Sequence, residues 1–475
     1  MNTNQQFDFG MIGIGVMGSN LLLNLADHGF AVIGFDLKPE RGKALEAAAK
    51  EGTVVKGVNN LAEMVLALKK PRKIMMLVPA GKPVDDVISN LLPYLEKGDI
   101  VIDGGNSFFK DTLHRIEYLQ DKGIHFFGMG VSGGELGARI GPSMMPGGDK
   151  EAYQYLKPLL EAIAAKADGE PCVAYMGNGA AGHYVKMVHN GIEYALMQMI
   201  SEAYDLMHRG AGFTNPELQE VFLRWNEGTL QSFLIKVTAD IFKTGDNDTP
   251  GNDDFLVDNI LDQAGAKGTG KWTSQEAMNL PVAIPTIDAA VAARTLSVYK
   301  EQRVQAAELY KPSVEAVGIS KKILVEDLEN ALSFCFIMAY AQGLHMLAKA
   351  SLELKMQIPL PHVIKVWRAG CIIRSAMLGD FYNAYKKNKE LENLLLDADV
   401  AEFVKAKLPA IKKIIVQGVT SGIALPGMMS ALAYFESYNS ERMPTNLIQA
   451  QRDYFGAHTY RRVDREGVFH TEWHQ

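Results

Sequence analysis

The sequence predicts an α/β domain on a mostly parallel sheet, then a larger all-α domain, then a C-terminal tail. Three observations carry this. Apolar, β-prone runs alternate with helical patterns up to about Ala180, the alternation stops there, and only helix-period patterns follow. With 475 residues the chain is too long for one hydrophobic core. The expected organisation is 1–180 for the α/β domain, 181–445 for the helical domain and 446–475 for the tail.

Composition removes several function classes. A net charge of −7 argues against nucleic acid or an anionic membrane surface as a partner. No run of 18 uninterrupted apolar residues occurs, so no transmembrane helix is expected. The N-terminus MNTNQQFDFGMIGIG lacks a basic n-region and runs straight into a strand pattern, so no signal peptide is read. Cys172, Cys335 and Cys371 lie far apart, as the reduced, packed thiols of a cytoplasmic protein do. Cys/His metal spacing is absent, and no metal is expected.

The first strand pattern, Phe7 to Ile14, leads into Gly13-Ile14-Gly15-Val16-Met17-Gly18. A helical pattern covers Ser19 to His28, and Gly29 stops it as a C-terminal cap. The next strand pattern, Ala31 to Phe35, ends in Asp36, 18 positions after the last glycine of the motif. Strand, glycine turn, helix and acid at this spacing form a Rossmann-type dinucleotide fingerprint. Gly13, Gly15, Val16, Met17 and Gly18 form the turn whose backbone N–H groups approach a pyrophosphate at the helix N-terminus. A glycine-rich turn with no ligand is the alternative. Asp36 accepts hydrogen bonds from the ribose hydroxyls of NAD and repels a 2′-phosphate. Leu37 offers no arginine in compensation, and Lys38 offsets the repulsion in part. These residues favour NAD over NADP.

Strand patterns follow at Thr53–Val55, Lys73–Val78, Asp99–Ile102 and His125–Gly128. Helical patterns at Asn60–Lys69, Val84–Leu95 and Lys110–Lys122 separate them. Such alternation implies right-handed crossovers and a parallel sheet. Two loops are expected at the carboxyl ends of strands, where ligands bind in such sheets. They are Asp103-Gly104-Gly105-Asn106-Ser107 and Gly130-Val131-Ser132-Gly133-Gly134-Glu135. Glycines beside Asn and Ser suit a small anion such as a carboxylate, although plain turns look the same.

Helical patterns then cover 182–208, 215–226, 229–243, 286–309, 324–351, 359–369, 397–415 and 427–438. Asn190–Met207 and Asn330–Leu347 share an apolar register, as a duplicated helical unit or two similar amphipathic helices would. The first pattern carries the site. Lys186, His189, Asn190, Glu193 and Tyr194 fall at i, i+3, i+4, i+7 and i+8, on one helical face, and His183 extends that stripe. The other faces are apolar, so the helix is expected to be buried. Buried polar groups need partners, because leaving them unpaired costs roughly 2–7 kcal/mol. Other protein groups satisfy that need in the bland reading. In the sharper one the stripe lines a polyhydroxylated or ionic ligand, with Lys186 and Glu193 roughly 10 Å apart along the axis as base and acid.

Gly265-Ala-Lys267-Gly268-Thr269-Gly270-Lys271-Trp272 imitates a nucleotide-triphosphatase phosphate loop. Trp272 replaces the magnesium-binding hydroxyl, and the preceding Asp258–Ala264 reads as helix, so that reading is rejected. Lys267, Thr269 and the loop amides still suit a phosphate. Arg294, on a helix rich in Ala and Val, is a second anion ligand or a snorkelling surface residue. The tail, LIQAQRDYFGAHTY from Leu447 with Arg452 and His458, starts as a helix and is expected to dock on its own domain or on a second subunit.

Together these stretches resemble the decarboxylating 6-phosphogluconate dehydrogenase family over the full length. The carriers are GxGxxG at Gly13–Gly18, IDGGNS at Ile102–Ser107, GVSGGELGARIGPSMMPGG from Gly130, GHYVKMVHNGIEY from Gly182, QAGAKGTGKWT from Gln263, WRAGCIIRS from Trp367 and the tail. A sister β-hydroxyacid dehydrogenase would share the first motifs and the lysine without the tail. The resemblance implies a homodimer whose tail completes the neighbouring active site, 6-phosphogluconate as substrate, and oxidation at C3 followed by loss of CO2. It makes Lys186 the general base and Glu193 the acid. Asn106, Ser132, Gly133, Gly134, His189 and Asn190 would hold the carboxylate and hydroxyls. Tyr194, Lys267, Thr269, Arg294 and the other subunit's tail Arg452, with His458 nearby, would hold the phosphate. Val78 and Asn106 join the cofactor contacts. Lys186 must be neutral for the first step, so burial and nearby positive groups are expected to depress its pKa.

NADP is the cofactor the resemblance implies. However, common NADP-using members carry Asn-Arg-Thr in place of Asp36-Leu37-Lys38 and Lys-Ala-Gly in place of Pro79-Ala80-Gly81. NAD preference or dual use is therefore expected. A dehydrogenase for another 3-hydroxy acid, and a catalytically silent ligand-sensing relative, are the rival readings.

Overall fold

The computed structural model describes residues 6–246 and 254–473. Its N-terminal part is a seven-stranded sheet. The strands are β1 (Phe9–Ile12), β2 (Val32–Phe35), β3 (Val55–Val58), β4 (Lys73–Met76), β5 (Ile100–Asp103), β6 (His125–Ser132) and β7 (Ser143–Gly147). Their order is β3-β2-β1-β4-β5-β6-β7, parallel throughout except that β7 runs antiparallel to β6. Helices α1 (Val16–Asp27), α2 (Pro39–Ala47), α3 (Leu61–Leu66), α4 (Lys82–Leu91), α5 (Phe109–Gln120), α6 (Gly134–Ile140) and α7 (Tyr153–Ile163) connect and cover the strands.

Alternation along β1 explains the layering. Phe9 and Met11 enter one buried layer with Leu22 and Leu25 of α1. Ile12 enters the opposite layer with Ile33, Met64 and Val65. A sheet buried on both faces needs near-continuous apolar strands, which β1, β4 and β5 supply.

Several boundaries differ from expectation. The third strand is Val55–Val58 and not Thr53–Val55. Helices α2, α6 and α7 and strand β7 lie outside the expected elements, although α7 carries an apolar helical period in Tyr153, Leu156, Leu159, Leu160 and Ile163. The β7 segment, SMMPG, contains a proline and a glycine, yet all five residues are buried and pair with β6.

The second part opens with α8 (Ala181–Asp205). It continues with α9 (Asn215–Trp225), α10 (Phe233–Lys243), α11 (Leu256–Asn259), α12 (Thr269–Asn279) and α13 (Pro285–Ser297). Then come α14 (Lys300–Tyr310), α15 (Lys321–Glu353), α16 (Leu360–Trp367) and α17 (Met377–Lys387). Last are α18 (Ala398–Ser421), α19 (Pro426–Tyr438) and α20 (Thr445–Gly456). The helix expected over 286–309 is broken into α13 and α14, where Arg303 donates to the Ser297 carbonyl. Asp258–Ala264 is not a helix beyond the four residues of α11. Lys300 and Arg303 hold Asp262, and the Ala264 amide donates to Ser297 Oγ, so side-chain bonds from a segment distant in sequence replace helical ones.

α8 and α15 pack together at the centre of the helical core. A Cβ on Gly343 would stand 2.5 Å from Ile192, so glycine there permits the close approach. Among the described residues α15 is long and apolar enough to cross a membrane, but most of it is buried in this core. The first turn of α8 lies directly on the sheet. A Cβ on Gly182 would come within 2.1 Å of the Gly128 carbonyl oxygen and 2.3 Å of that of Met145. This contact fixes the helix against β6 and β7.

Candidate active site

Because α8 is pressed onto β6, its polar stripe faces the carboxyl end of the sheet. Lys186 and His189 are buried, Tyr194 is nearly so, and Glu193 and Asn190 are half-buried. His183 leaves the stripe. Its Nδ1 meets Thr112 Oγ1 at 2.7 Å and its Nε2 meets the Asp103 carbonyl oxygen at 3.0 Å, so it ties α8 to α5 and β5.

The remaining polar groups form one chain of contacts. The Ile372 amide donates to Ser132 Oγ (3.3 Å), which lies 3.4 Å from His189 Nε2. His189 Nδ1 lies 3.0 Å from Asn190 Oδ1, and Asn190 Nδ2 donates to Thr269 Oγ1 at 3.2 Å. One assignment serves them all: His189 neutral, with its proton on Nδ1. Burial, with Lys186 beside it, holds the His189 pKa well below its ordinary value, so the 3.8 Å approach to Glu193 is not an ion pair.

Lys186 Nζ stands 3.3 Å from His189 Nδ1. Burial pushes its pKa down, and Glu193 and Cys371 oppose that shift. Of the two expected causes, burial and nearby positive groups, burial is the one that lowers this lysine, while Glu193 and Cys371 act the other way. Burial pushes Glu193 up, against the pull of Lys186 and Arg294. Lys186 and Glu193 both approach His189 and act on each other electrostatically, the amine shifted toward neutrality and the carboxyl toward protonation.

Farther along the stripe the phosphate candidates gather. The Arg294 guanidinium lies 3.5 Å over the Tyr194 ring and donates to the Gly265 carbonyl at 3.4 Å. Gly270 packs so close to Tyr194 that a Cβ would meet the ring at 2.6 Å. Thr269 is buried at the start of α12 and Lys267 is exposed on the same loop. Of the carboxylate candidates, Ser132 is buried, Asn106 and Gly134 are exposed, and Gly133 is the N-cap of α6.

A cleft of 670 Å³ runs beside β1, β2 and β4, lined by Gly13, Asp36, Leu37, Arg41, Val78 and Pro79 among others. Gly13 adopts φ +86°, and its missing side chain would collide with the Leu77 carbonyl at 2.5 Å. A Cβ on Gly18 would meet the Gly13 carbonyl at 2.1 Å. Gly15 caps α1 without a side-chain bond, so the amides of its first turn, at Val16 and Met17, stay free. This cradle suits a dinucleotide pyrophosphate.

The cofactor reading needs one correction. Asp36 does have an arginine: Arg41 Nη1 lies 2.9 Å from its Oδ2, while the Lys38 amide donates to Oδ1 at 3.0 Å. Leu37 and Lys38 point to solvent. Arg41 was legible only if Pro39 is taken as the start of a helix whose first turn folds back on the strand end.

Arg452 and His458 lie in the exposed tail. Arg452 donates to Gln449 Oε1, and His458 packs against Phe455. Their described contacts stay within the tail, so one chain alone does not bring them to α8. Asp453, fully buried, staples that tail by accepting from the Thr459 and Thr471 amides, His470 and Trp473. A larger cavity of 970 Å³, between α15, α17 and α18, contains none of these residues. Among the described residues no cluster of His, Cys, Asp and Glu is arranged to hold a metal ion.

Comparison with known proteins agrees with this layout. The model of the NAD binding domain of 6-phosphogluconate dehydrogenase matches residues 8–177, and that of the 6-phosphogluconate dehydrogenase C-terminal domain matches residues 182–473. The chain is 49% identical over 472 residues to a decarboxylating 6-phosphogluconate dehydrogenase of Lactococcus lactis subsp. lactis (strain IL1403), covering 99% of each. It is 50% identical over 465 residues to an NADP(+)-dependent, decarboxylating one of Bacillus subtilis (strain 168), covering 98% of each. The solved Plasmodium falciparum 6-phosphogluconate dehydrogenase, described as apo, with its cofactor NADP+ and with its substrate 6-phosphogluconate, has a TM-score of 0.93. Its identity is 46%, covering 98% of this chain and all of that one.

Proposed function

We infer that this chain, which belongs to the 6-phosphogluconate dehydrogenase family, oxidatively decarboxylates 6-phospho-D-gluconate to D-ribulose 5-phosphate and CO2. The observation that carries the mechanism is the pairing of Lys186 and Glu193 on one wall of a buried helix, each shifted by burial toward its uncharged form. Neutral Lys186 takes the C3 hydroxyl proton as the C3 hydride departs. The bound nicotinamide dinucleotide supplies the hydride acceptor. The resulting 3-keto acid loses CO2 because the ketone accepts the electron pair as an enol. Glu193 then protonates C1 of that enediol.

Ser132, His189 and Asn190, linked in one hydrogen-bonded chain, orient the carboxylate end of the sugar acid, with Asn106, Gly133 and Gly134 beside them. Tyr194, Lys267, Thr269 and Arg294 take the phosphate, together with Arg452 and His458 from the tail of a second copy. The exposed, self-stapled tail supports that homodimer, as do the outward-facing Leu447, Ile448 and Phe455.

Gly13 to Gly18, Asp36 to Lys38, Val78 and Asn106 hold the dinucleotide. Asp36 disfavours a 2′-phosphate, while Arg41 restores a positive charge beside it. We therefore assign use of both NAD and NADP. Assays on 6-phosphogluconate and on unphosphorylated gluconate, each with NAD and NADP in parallel, test the whole reading. Equal kcat/KM for the two acids would reject the phosphate site, and a hundredfold preference for NADP would reject dual use.

A further inference from the structure

Arg115 of α5 has no place in the chemistry above, yet its side chain is almost fully buried among charges. Its Nε donates to Asp85 Oδ1 at 2.7 Å and its Nη2 to the Gly81 carbonyl at 3.1 Å. Both lie where β4 turns into α4, the segment whose Val78, Pro79 and Pro83 line the dinucleotide cleft. The third arm, Nη1, faces Asp103 Oδ2 at 3.7 Å and is a buried donor without a hydrogen-bond partner. That separation is too long for a hydrogen bond and leaves a charged donor in reserve.

Asp103 organises the next loop. Its carboxylate accepts from the Gly105 amide at 2.9 Å and from Ser107 Oγ at 2.5 Å, on either side of Asn106. The two loops touch: a Cβ on Gly105 would meet the Val78 carbonyl oxygen at 3.3 Å. The Asp103 carbonyl in turn meets His183, one turn before Lys186, and His183 is held from α5 by Thr112, one turn before Arg115. A single face of α5 therefore grips the β4 loop, the β5 loop and the catalytic helix.

We propose that Arg115 is a positioning residue that clamps the β4 and β5 loops around the dinucleotide, in register with Lys186. The proposal rests on the dinucleotide reading of the cleft. A planar, always-charged fork spans two loops where a lysine reaches only one. As the loops close by less than 1 Å, the unpartnered Nη1 gains Asp103 and the clamp tightens.

The test uses the full-length protein with Arg115→Met, Arg115→Lys and Asp85→Asn, titrated calorimetrically with NADP+ and NAD+. Asp85 is over half exposed, so its substitution leaves the fold intact even where Arg115→Met does not. The expected result is dinucleotide Kd about tenfold weaker in Arg115→Met and about threefold weaker in Asp85→Asn. Arg115→Lys recovers part of the loss, and KM for 6-phosphogluconate at saturating cofactor stays within twofold. Unchanged Kd in Arg115→Met and Asp85→Asn would overturn the proposal. So would a sugar-acid KM and a Tm that move together with Kd in Asp85→Asn, as a plain structural brace requires. Because the titrations need no turnover, failure of this inference is separable from failure of the proposed reaction.

Discussion

Adding one methyl group at Gly130 tests whether the position of Lys186 governs the chemistry. Gly130 sits on β6 with a φ outside the left-handed region, so alanine meets no backbone strain. Its Cβ would stand 2.4 Å from Lys186 Cβ and 2.9 Å from Lys186 Cγ. Carbon atoms meet at about 3.5–4.0 Å, so the lysine stem or the strand must yield by about 1 Å. A displacement of that size costs about 10²-fold in rate, or about 2.7 kcal/mol of barrier. Overpacking removes about 1–3 kcal/mol of stability besides. Gly130→Ala is expected to lower kcat on 6-phosphogluconate about a hundredfold. The Kd for NADP stays nearly unchanged, because neither Lys186 nor Gly182, the residues struck, lines the dinucleotide cleft. Gly29→Ala is the control. At φ +87° with nothing within 4 Å it loses about 1–2 kcal/mol through strain alone, with native kinetics. A folded Gly130→Ala protein with kcat within threefold of native would refute the argument.

Lys186→Ala should abolish turnover while NADP still binds with native Kd; measurable oxidation of 6-phosphogluconate would remove the base. Burial lowers Lys186 from 10.5 and raises Glu193 from 4.5. Activity therefore rises with pH as the amine loses its proton and falls as the carboxyl loses its own; a pH–kcat profile reads both limbs. Glu193→Gln should remove the descending limb. Arg294→Ala, deprived of a charged phosphate contact worth about 1.5–3 kcal/mol, should raise KM for 6-phosphogluconate by about ten- to a hundredfold and leave gluconate kinetics unchanged. Asp36→Asn removes a charge that Arg41 only partly offsets, so the kcat/KM ratio of NADP to NAD should climb about tenfold, and in the native enzyme the same ratio should rise as added salt screens the repulsion.

Local rules were enough for much of this protein. Glycine conformation, strand alternation and the acid after the second strand marked the dinucleotide fold, because each is a short-range consequence of backbone sterics. The 3.6-residue period put Lys186, His189, Asn190, Glu193 and Tyr194 on one wall before any packing was known. Period failed at β7, where glycines and Pro146 hide a buried strand made by pairing with β6 and with the segment around Val173. It failed again at Asp258–Ala264, where distant Lys300 and Arg303 outcompete the helix for Asp262.

Tertiary structure alone decided which polar groups meet. It paired Asp36 with Arg41, took His183 out of the stripe to serve Asp103 and Thr112, and set Arg115 across two loops. It also removed the expected cationic neighbour from the lysine, leaving the expected burial to lower it. Sequence by itself determines which side chains share a helix face or a turn. Burial and long-range pairing depend on the other elements brought against that face, and these set the charge each group carries.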